Sequence, residues 1–275
     1  MEKQISNHSM TVKDILKVTN GQLIIGKEEE IVTSFERDSR EVKQDDTYLG
    51  IKGETINGSI FFEEAFKKGA KGAILQNIEI TNEQKENYNN KFIIVVEDTV
   101  KAMQQIATYK RSLYDIPVVA ITGSVGKTST KDMVYSVLSM QFNTLKTQGN
   151  YNNHIGVPLT IFQLKDQEML TIEMGMNHFG ELSTLTKIAK PTVAVITNVG
   201  TAHIGNLGSR ENILKAKLEI LEGLDKDGYV VINNDNDLLH NYSLNNDNTD
   251  YVLLFNMNGL SGGIFAKRLF DKLSF

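Results

Sequence analysis

Ala120–Thr130 reads AITGSVGKTST. Val118 to Thr122 is an apolar, β-branched run, Gly123 and Gly126 punctuate a turn, and Lys127-Thr128 opens a helical pattern. A buried strand passing through a glycine turn into a helix suits phosphate binding. Backbone amides and the helix N-terminus hold phosphate oxygens, Lys127 reaches the β/γ-phosphates, and the Thr128 hydroxyl reaches Mg²⁺. The glycine frame is short, however. The common G-x-x-x-x-G-K-[ST] pattern places its first glycine where this sequence has Ile121, and Gly123 is the nearest substitute.

On both sides of this stretch the patterning separates into two regions. Upstream, helical patterns at Val12–Val18, Ile60–Lys68 and Val100–Leu113 alternate with short strands at Gln22–Ile25, Gly72–Leu75 and Phe92–Val96, and the polar segment Asn77–Lys91 reads mostly as loop. Ile116-Pro117 breaks the pattern, because the residue before proline is pushed out of the helical region. Downstream, strands at Val118–Thr122, Leu170–Glu173, Val193–Thr197 and Tyr229–Ile232 alternate with helices at Lys127–Met140, Glu181–Ile188 and Arg210–Leu224. Continuous apolar strands between helices predict a parallel sheet covered on both faces. The expected fold is α/β: a small α/β domain over residues 1–115 and a doubly wound domain over 116–275.

Composition bounds the function classes. A net charge of −5 with 23% charged residues gives no basic field for nucleic acid. The absence of cysteine rules out disulfides, thiolate chemistry and cysteine metal sites. The N-terminus MEKQISNHSM has no apolar signal core, and no apolar run approaches a membrane span, so a cytoplasmic protein is expected.

Two strand ends extend the site. LTIEMGM carries Glu173 at the close of one apolar strand, and VITNVGTAH places Asn198 and His203 just past another. Ligands of open α/β sheets bind outside the carboxyl ends of the strands, so Lys127, Glu173 and His203 are expected to line one crevice. Glu173 offers a hard oxygen suited to Mg²⁺, and His203 is a less usual ligand for that ion. Each also has an ordinary structural reading, as a helix-capping glutamate and a loop histidine. On a helical wheel Leu214, Leu218, Leu221, Leu224, Ile213 and Ile220 form one apolar arc, with Lys217 in its middle and Lys215 facing away. A lysine placed there snorkels to water, or is neutralised, paired or modified.

TGSVGKTST, NYNNHIGVPLT, EMGMNHFGEL, NVGTAHIG, KAKLEI and INNDND, in that order, resemble the ATP-dependent Mur ligases. The upstream region is similar to that family's N-terminal domain at Arg37-Asp38-Ser39-Arg40, GIKGE (50–54) and AFKKGAKGA (65–73). Among Mur ligases the motifs look most like those of the branch that joins D-alanyl-D-alanine to UDP-N-acetylmuramoyl-tripeptide. Two other assignments compete: another Mur-type or folate-polyglutamylating ligase, and a nucleotide-binding module that no longer catalyses.

The resemblance implies specific roles. Thr122, Gly123, Ser124, Val125, Gly126, Lys127, Thr128 and Ser129 would hold ATP phosphate, and Asn233 and Asp235 would meet the adenine. Thr128 and Glu173 would ligate one Mg²⁺, and His203 with a carbamylated Lys217 a second. Lys127, Lys217 and His203 would form the catalytic set, Asn150 and Asn153 would face the muramoyl substrate, and Ser39 and Arg40 would bind its UDP. The family acts as a cytoplasmic enzyme through an acyl phosphate, and a monomer is expected here. The match runs out after Tyr251–Phe255, and the family's third, Rossmann-like domain has no counterpart, so a truncated or frameshifted chain is expected, with a split protein and a separate partner as the alternative.

Overall fold

Pro117 cannot continue a helix, and the chain divides close to it. In the computed structural model, which describes residues 9–244 and 252–255, one compact unit spans Met1–Tyr114 and the other Asp115–Phe275.

The strands of the first unit are β1 (Met10–Thr11), β2 (Gln22–Ile25), β3 (Ile31–Val32), β4 (Phe35–Glu36), β5 (Thr47–Leu49), β6 (Gly72–Leu75) and β7 (Phe92–Val95). A five-stranded sheet runs β2-β7-β6-β5-β4, and β1 pairs separately with β3. All neighbours in the larger sheet are parallel except β2 and β7. Tyr48, Phe62, Phe66 and Ile93 are central to one core of this unit.

Asn77–Lys91, expected to be mostly loop, contains the helix Asn82–Asn87. A reciprocal capping box explains it. The Thr81 hydroxyl accepts from the Gln84 amide, and the Gln84 side chain accepts from the Thr81 amide. Gln84 Nε2 then donates to Glu63 at 2.6 Å, and the Tyr88 ring lies 4.9 Å from that of Phe66.

The second unit contains β8 (Val118–Thr122), β9 (Thr144–Lys146), β10 (Met169–Glu173), β11 (Val193–Ile196), β12 (Tyr229–Asn233) and β13 (Val252–Phe255). They form one parallel sheet ordered β13-β12-β11-β8-β10-β9. This is the doubly wound sheet the strand patterning predicts. Every residue of β8, β10 and β11 is buried. Val134 and Leu138 of the helix Lys127–Leu138 pack on Val119, Ile121, Val195 and Val231.

From β8 the chain winds to β9 and β10 on one side and later to β11, β12 and β13 on the other. The winding direction therefore switches between β8 and β11, the kind of point beyond whose carboxyl ends open α/β sheets bind ligands. The register sets Ile196 beside Thr122 and Glu173 beside Ile121, so these strand ends lie level.

The helix expected over Arg210–Leu224 is α-helical only from Arg210 to Leu218 and tightens into a 3₁₀ turn at Glu219–Gly223. Contacts with the helix Glu181–Ala189 account for the change. The Thr186 hydroxyl donates to the Ile220 carbonyl at 2.6 Å, and Gly223 lies so close that a Cβ there would stand 2.4 Å from Thr186 backbone.

Candidate active site

The phosphate-type loop is gripped by the end of β11. Ser124 N donates to the Asn198 carbonyl at 3.1 Å, and Val125 N to Asn198 Oδ1 at 2.9 Å. In return Gly200 N donates to Ser124 Oγ at 2.9 Å, and the Thr197 hydroxyl to the Val125 carbonyl at 2.6 Å. The short glycine frame now has a physical reason. Gly123 has φ +151°, and a Cβ there would fall 1.8 Å from Thr197 Oγ1. Gly123 is thus the position at which the loop crosses β11, while Ile121 is wholly buried in the sheet.

Gly126 has φ +82° and starts the helix Lys127–Leu138, whose first turn has no side-chain cap. Those first-turn amides are the donors an anion uses at a helix start. Lys127 Nζ folds back onto the Gly123 carbonyl at 2.9 Å. Val125, Gly126, Thr128 and Ser129 are exposed and Ser124 is half-buried, whereas Thr122 is fully buried with an unpartnered hydroxyl.

Beneath the loop, Thr128 Oγ1 donates to Glu173 Oε2 at 2.9 Å, and Asn152 Nδ2 donates to Glu173 Oε1 at 2.8 Å. Glu173 is only 2% exposed, and its own amide donates to the Thr147 hydroxyl at 3.0 Å. A hydroxyl and a carboxylate side by side are the hard oxygen donors that suit Mg²⁺. Among the described residues, no three or more His, Asp and Glu side chains gather as a metal site.

Lys217 is buried while Lys215 is exposed, the contrast the helical wheel predicts. Lys217 is 2% exposed, and its ammonium has no hydrogen-bond or ion-pair partner among the described residues. Burial, reinforced by the Lys127 charge, pulls its pKa down to about 7. His203 lies in the left-handed region at φ 65° and starts the short helix Ile204–Leu207. It is exposed and makes no side-chain hydrogen bond among the described residues, so the structure does not tie it to Glu173 or Lys217.

Asn233 ends β12, 6% exposed, with its Oδ1 accepting from the Asp235 amide at 3.0 Å. Asn150 is exposed. Asn153 is also exposed, and its Oδ1 accepts from the amides of Ile155 and Gly156 at the start of the helix Gly156–Phe162. Any ligand contact of Asn153 therefore falls to its Nδ2.

In the first unit the buried Ser39 donates to Glu64 at 3.0 Å. The exposed Arg40 holds Asp38 in a fork at 2.9 and 2.7 Å, and its carbonyl accepts from Lys68 Nζ at 2.7 Å. Hydrogen bonds from Arg40 hold the Asp38 carboxyl well below the usual carboxylate range.

Sequence reasoning did not single out Asn152 or Thr197. The NYNN run offers three asparagines, and pairing alone shows which one meets Glu173. Thr197 follows an apolar strand and reads as its last residue.

Comparison with known proteins bears on the family and the fold. The Mur ligase middle-domain family matches residues 121–273, and the Mur ligase family catalytic domain matches 32–111. The chain is 40% identical over 233 residues to the UDP-N-acetylmuramoyl-tripeptide–D-alanyl-D-alanine ligase of Bacillus subtilis, covering 84% of this chain and 50% of that protein. It superposes on a crystal structure of MurF from Acinetobacter baumannii with TM-score 0.80 and 31% identity, over 91% of this chain and 54% of the other. MurF ligase from Thermotoga maritima, solved in complex with ADP, gives TM-score 0.72 and 32% identity, over 83% and 51%. The chain spans about half the length of the curated relatives it matches. No helix among the described residues is long and apolar enough to cross a membrane.

Proposed function

Because the chain belongs to the Mur ligase family, we propose that it is the part of a cytoplasmic, ATP-dependent ligase that receives UDP-N-acetylmuramoyl-tripeptide and ATP for coupling to D-alanyl-D-alanine. The observation that carries this reading is the buried Glu173 carboxylate, paired with the exposed Thr128 hydroxyl and the half-buried Asn152 amide beneath a loop locked to β11. It supports the reading because hard oxygens suited to Mg²⁺ lie directly under the helix start whose amides suit phosphate.

In this reading Lys127 and the first-turn amides hold the β- and γ-phosphates, and Asn233 and Asp235 meet the adenine. Thr128 and Glu173 would hold one Mg²⁺, and Lys217, as its carbamate, with His203 a second. Bound there, Mg²⁺ supplies positive charge that screens the substrate carboxylate from the γ-phosphate. A substrate carboxylate oxygen attacks the γ-phosphorus, giving an acyl phosphate and ADP. The amine of D-alanyl-D-alanine then attacks the acyl carbon, loses a proton and expels phosphate to leave the amide. The protein's part is to position these groups and offset charge in the transition state.

Lys217 fits its role chemically. Carbamylation needs the free amine, and burial, which lowers the Lys217 pKa to about 7, favours that form. The neutral amine nitrogen adds to the carbon of CO₂ and releases one proton, so a carboxylate replaces the basic amine at this buried position. Asn150 and Asn153 would face the muramoyl group, and Ser39 and Arg40 the UDP.

The test is direct binding of UDP-N-acetylmuramoyl-tripeptide to the 275-residue chain. Arg40→Ala is expected to weaken it about tenfold, the size of one charged contact to phosphate. Asp38 already holds Arg40 in place, so little ordering is needed on binding. A parent chain that ignores this ligand would overturn the substrate assignment, and equal affinity in parent and variant would remove Arg40 from it.

A further inference from the structure

The roles above leave unused a node at the Val199 carbonyl. Val199 sits between Asn198 and Gly200, the residues that hold Ser124 and Val125 of the loop. Its carbonyl accepts from Arg210 Nη2 at 2.9 Å and from Asn236 Nδ2 at 3.1 Å. Arg210 also grips Asp237, with Nη1 donating to Oδ2 at 2.8 Å and Nη2 donating to Oδ1 at 2.5 Å. Asn236 closes the turn that starts at Asn233, in which the amides of Asp235 and Asn236 donate to the Asn233 side chain and carbonyl, and Asp237 opens the helix Asp237–Leu244 directly after it. One guanidinium therefore joins the loop-holding segment 198–200 to the turn 233–237. It also opens the helix Arg210–Leu218, about two turns ahead of Lys217.

We propose that Arg210 is a positioning residue that sets the 233–237 turn in register with the phosphate loop, so that a nucleoside diphosphate engages both ends at once. The inference rests on the nucleotide site proposed above, with the base at Asn233 and Asp235. A part-exposed ion pair contributes little to stability by itself. The rigid fork of arginine acts differently here, because it spans separate loops with several directed bonds. A ligand whose two ends are covalently linked gains from both subsites only when their spacing is fixed in advance. Pyrophosphate reaches the loop alone and gains nothing from the spacing.

The experiment is calorimetric titration of the 275-residue chain with MgADP and, separately, with magnesium pyrophosphate. Arg210→Ala is expected to weaken MgADP about tenfold and to leave pyrophosphate within about twofold. Arg210→Lys, which keeps a donor for Val199 without the fork, should recover part of the loss. If Arg210→Ala fails to fold, Asp237→Asn tests the same link by weakening only the ion pair, and it should lower MgADP affinity selectively by a smaller factor. Equal MgADP affinity in parent and variants, or a parallel loss for both ligands, would overturn the positioning role. A parent that binds pyrophosphate without preferring MgADP would overturn the base assignment and this inference together. A parent that binds neither ligand would overturn the nucleotide site itself.

Discussion

Lys217→Ala is expected to abolish carbamate formation and, in a ligase restored to the full length of its relatives, to reduce ligation by about 10²–10³-fold, the usual cost of losing one charge-stabilising group at a reacting centre. Lys215→Ala, on the same helix, should leave both nearly intact. The two lysines differ in surroundings more than in sequence: Lys217 is 2% exposed and Lys215 faces solvent. An ammonium buried without a partner is costly, and the lowered pKa of Lys217 expresses that cost. Addition of CO₂ relieves it, provided a cation meets the new carboxylate. Labelled bicarbonate should therefore give a carbamate ¹³C signal in the parent and in Lys215→Ala, and none in Lys217→Ala. A short carboxylic acid should partly restore the activity of Lys217→Ala by replacing the lost oxygens. Loss of the signal from both variants, or from neither, would show that the buried lysine has another role.

Gly123→Ala should disable the loop altogether. The backbone at φ +151° strongly disfavours a side chain, and the added methyl would meet Thr197 Oγ1 at 1.8 Å. Strained backbone costs about 1–3 kcal/mol before any clash is counted. Because Thr197 also donates to Val125, the loop cannot retreat without losing that bond. The expected result is a lower thermal midpoint together with at least a hundredfold weaker MgADP binding, since each 1.4 kcal/mol is a factor of about ten. Gly149→Ala is a suitable control, with positive φ but no atom within 4 Å of the added Cβ. It should cost stability through strain while leaving nucleotide binding nearly unchanged. A Gly123→Ala chain that binds MgADP like the parent would contradict the close crossing of loop and strand.

Much of the second unit is legible in its sequence because a parallel sheet buried on both faces leaves unbroken apolar runs. Val118–Thr122 and Val193–Ile196 are such runs, and each announces the loop that follows it. The buried Lys217 is legible for a related reason, since a charge amid leucines breaks the helical pattern. The two-residue strands β1, β3 and β4 are not legible. Each exists only through its partner, as Phe35–Glu36 does through Thr47 and Tyr48. The helix Asn82–Asn87 carried a readable signal, Thr81 and Gln84 at capping-box spacing, within a run of polar residues that suggests a loop. Arg210 and Asn236 give no local sign at all, because their shared acceptor is the backbone carbonyl of Val199.

Every proposed role in ATP binding and use depends on Gly123–Thr128 being a nucleotide phosphate site with Lys127 as its cation. The most direct measurement is the heat of MgADP binding to the parent and to Lys127→Ala. Lys127 Nζ donates to the Gly123 carbonyl at 2.9 Å, a single half-buried bond whose loss is expected to cost the fold only about 1 kcal/mol. The expected result is measurable binding by the parent, about a hundredfold weaker binding by Lys127→Ala, and closely similar thermal midpoints for both. Equal MgADP affinity in the two proteins, or no binding by a folded parent, would contradict the claim.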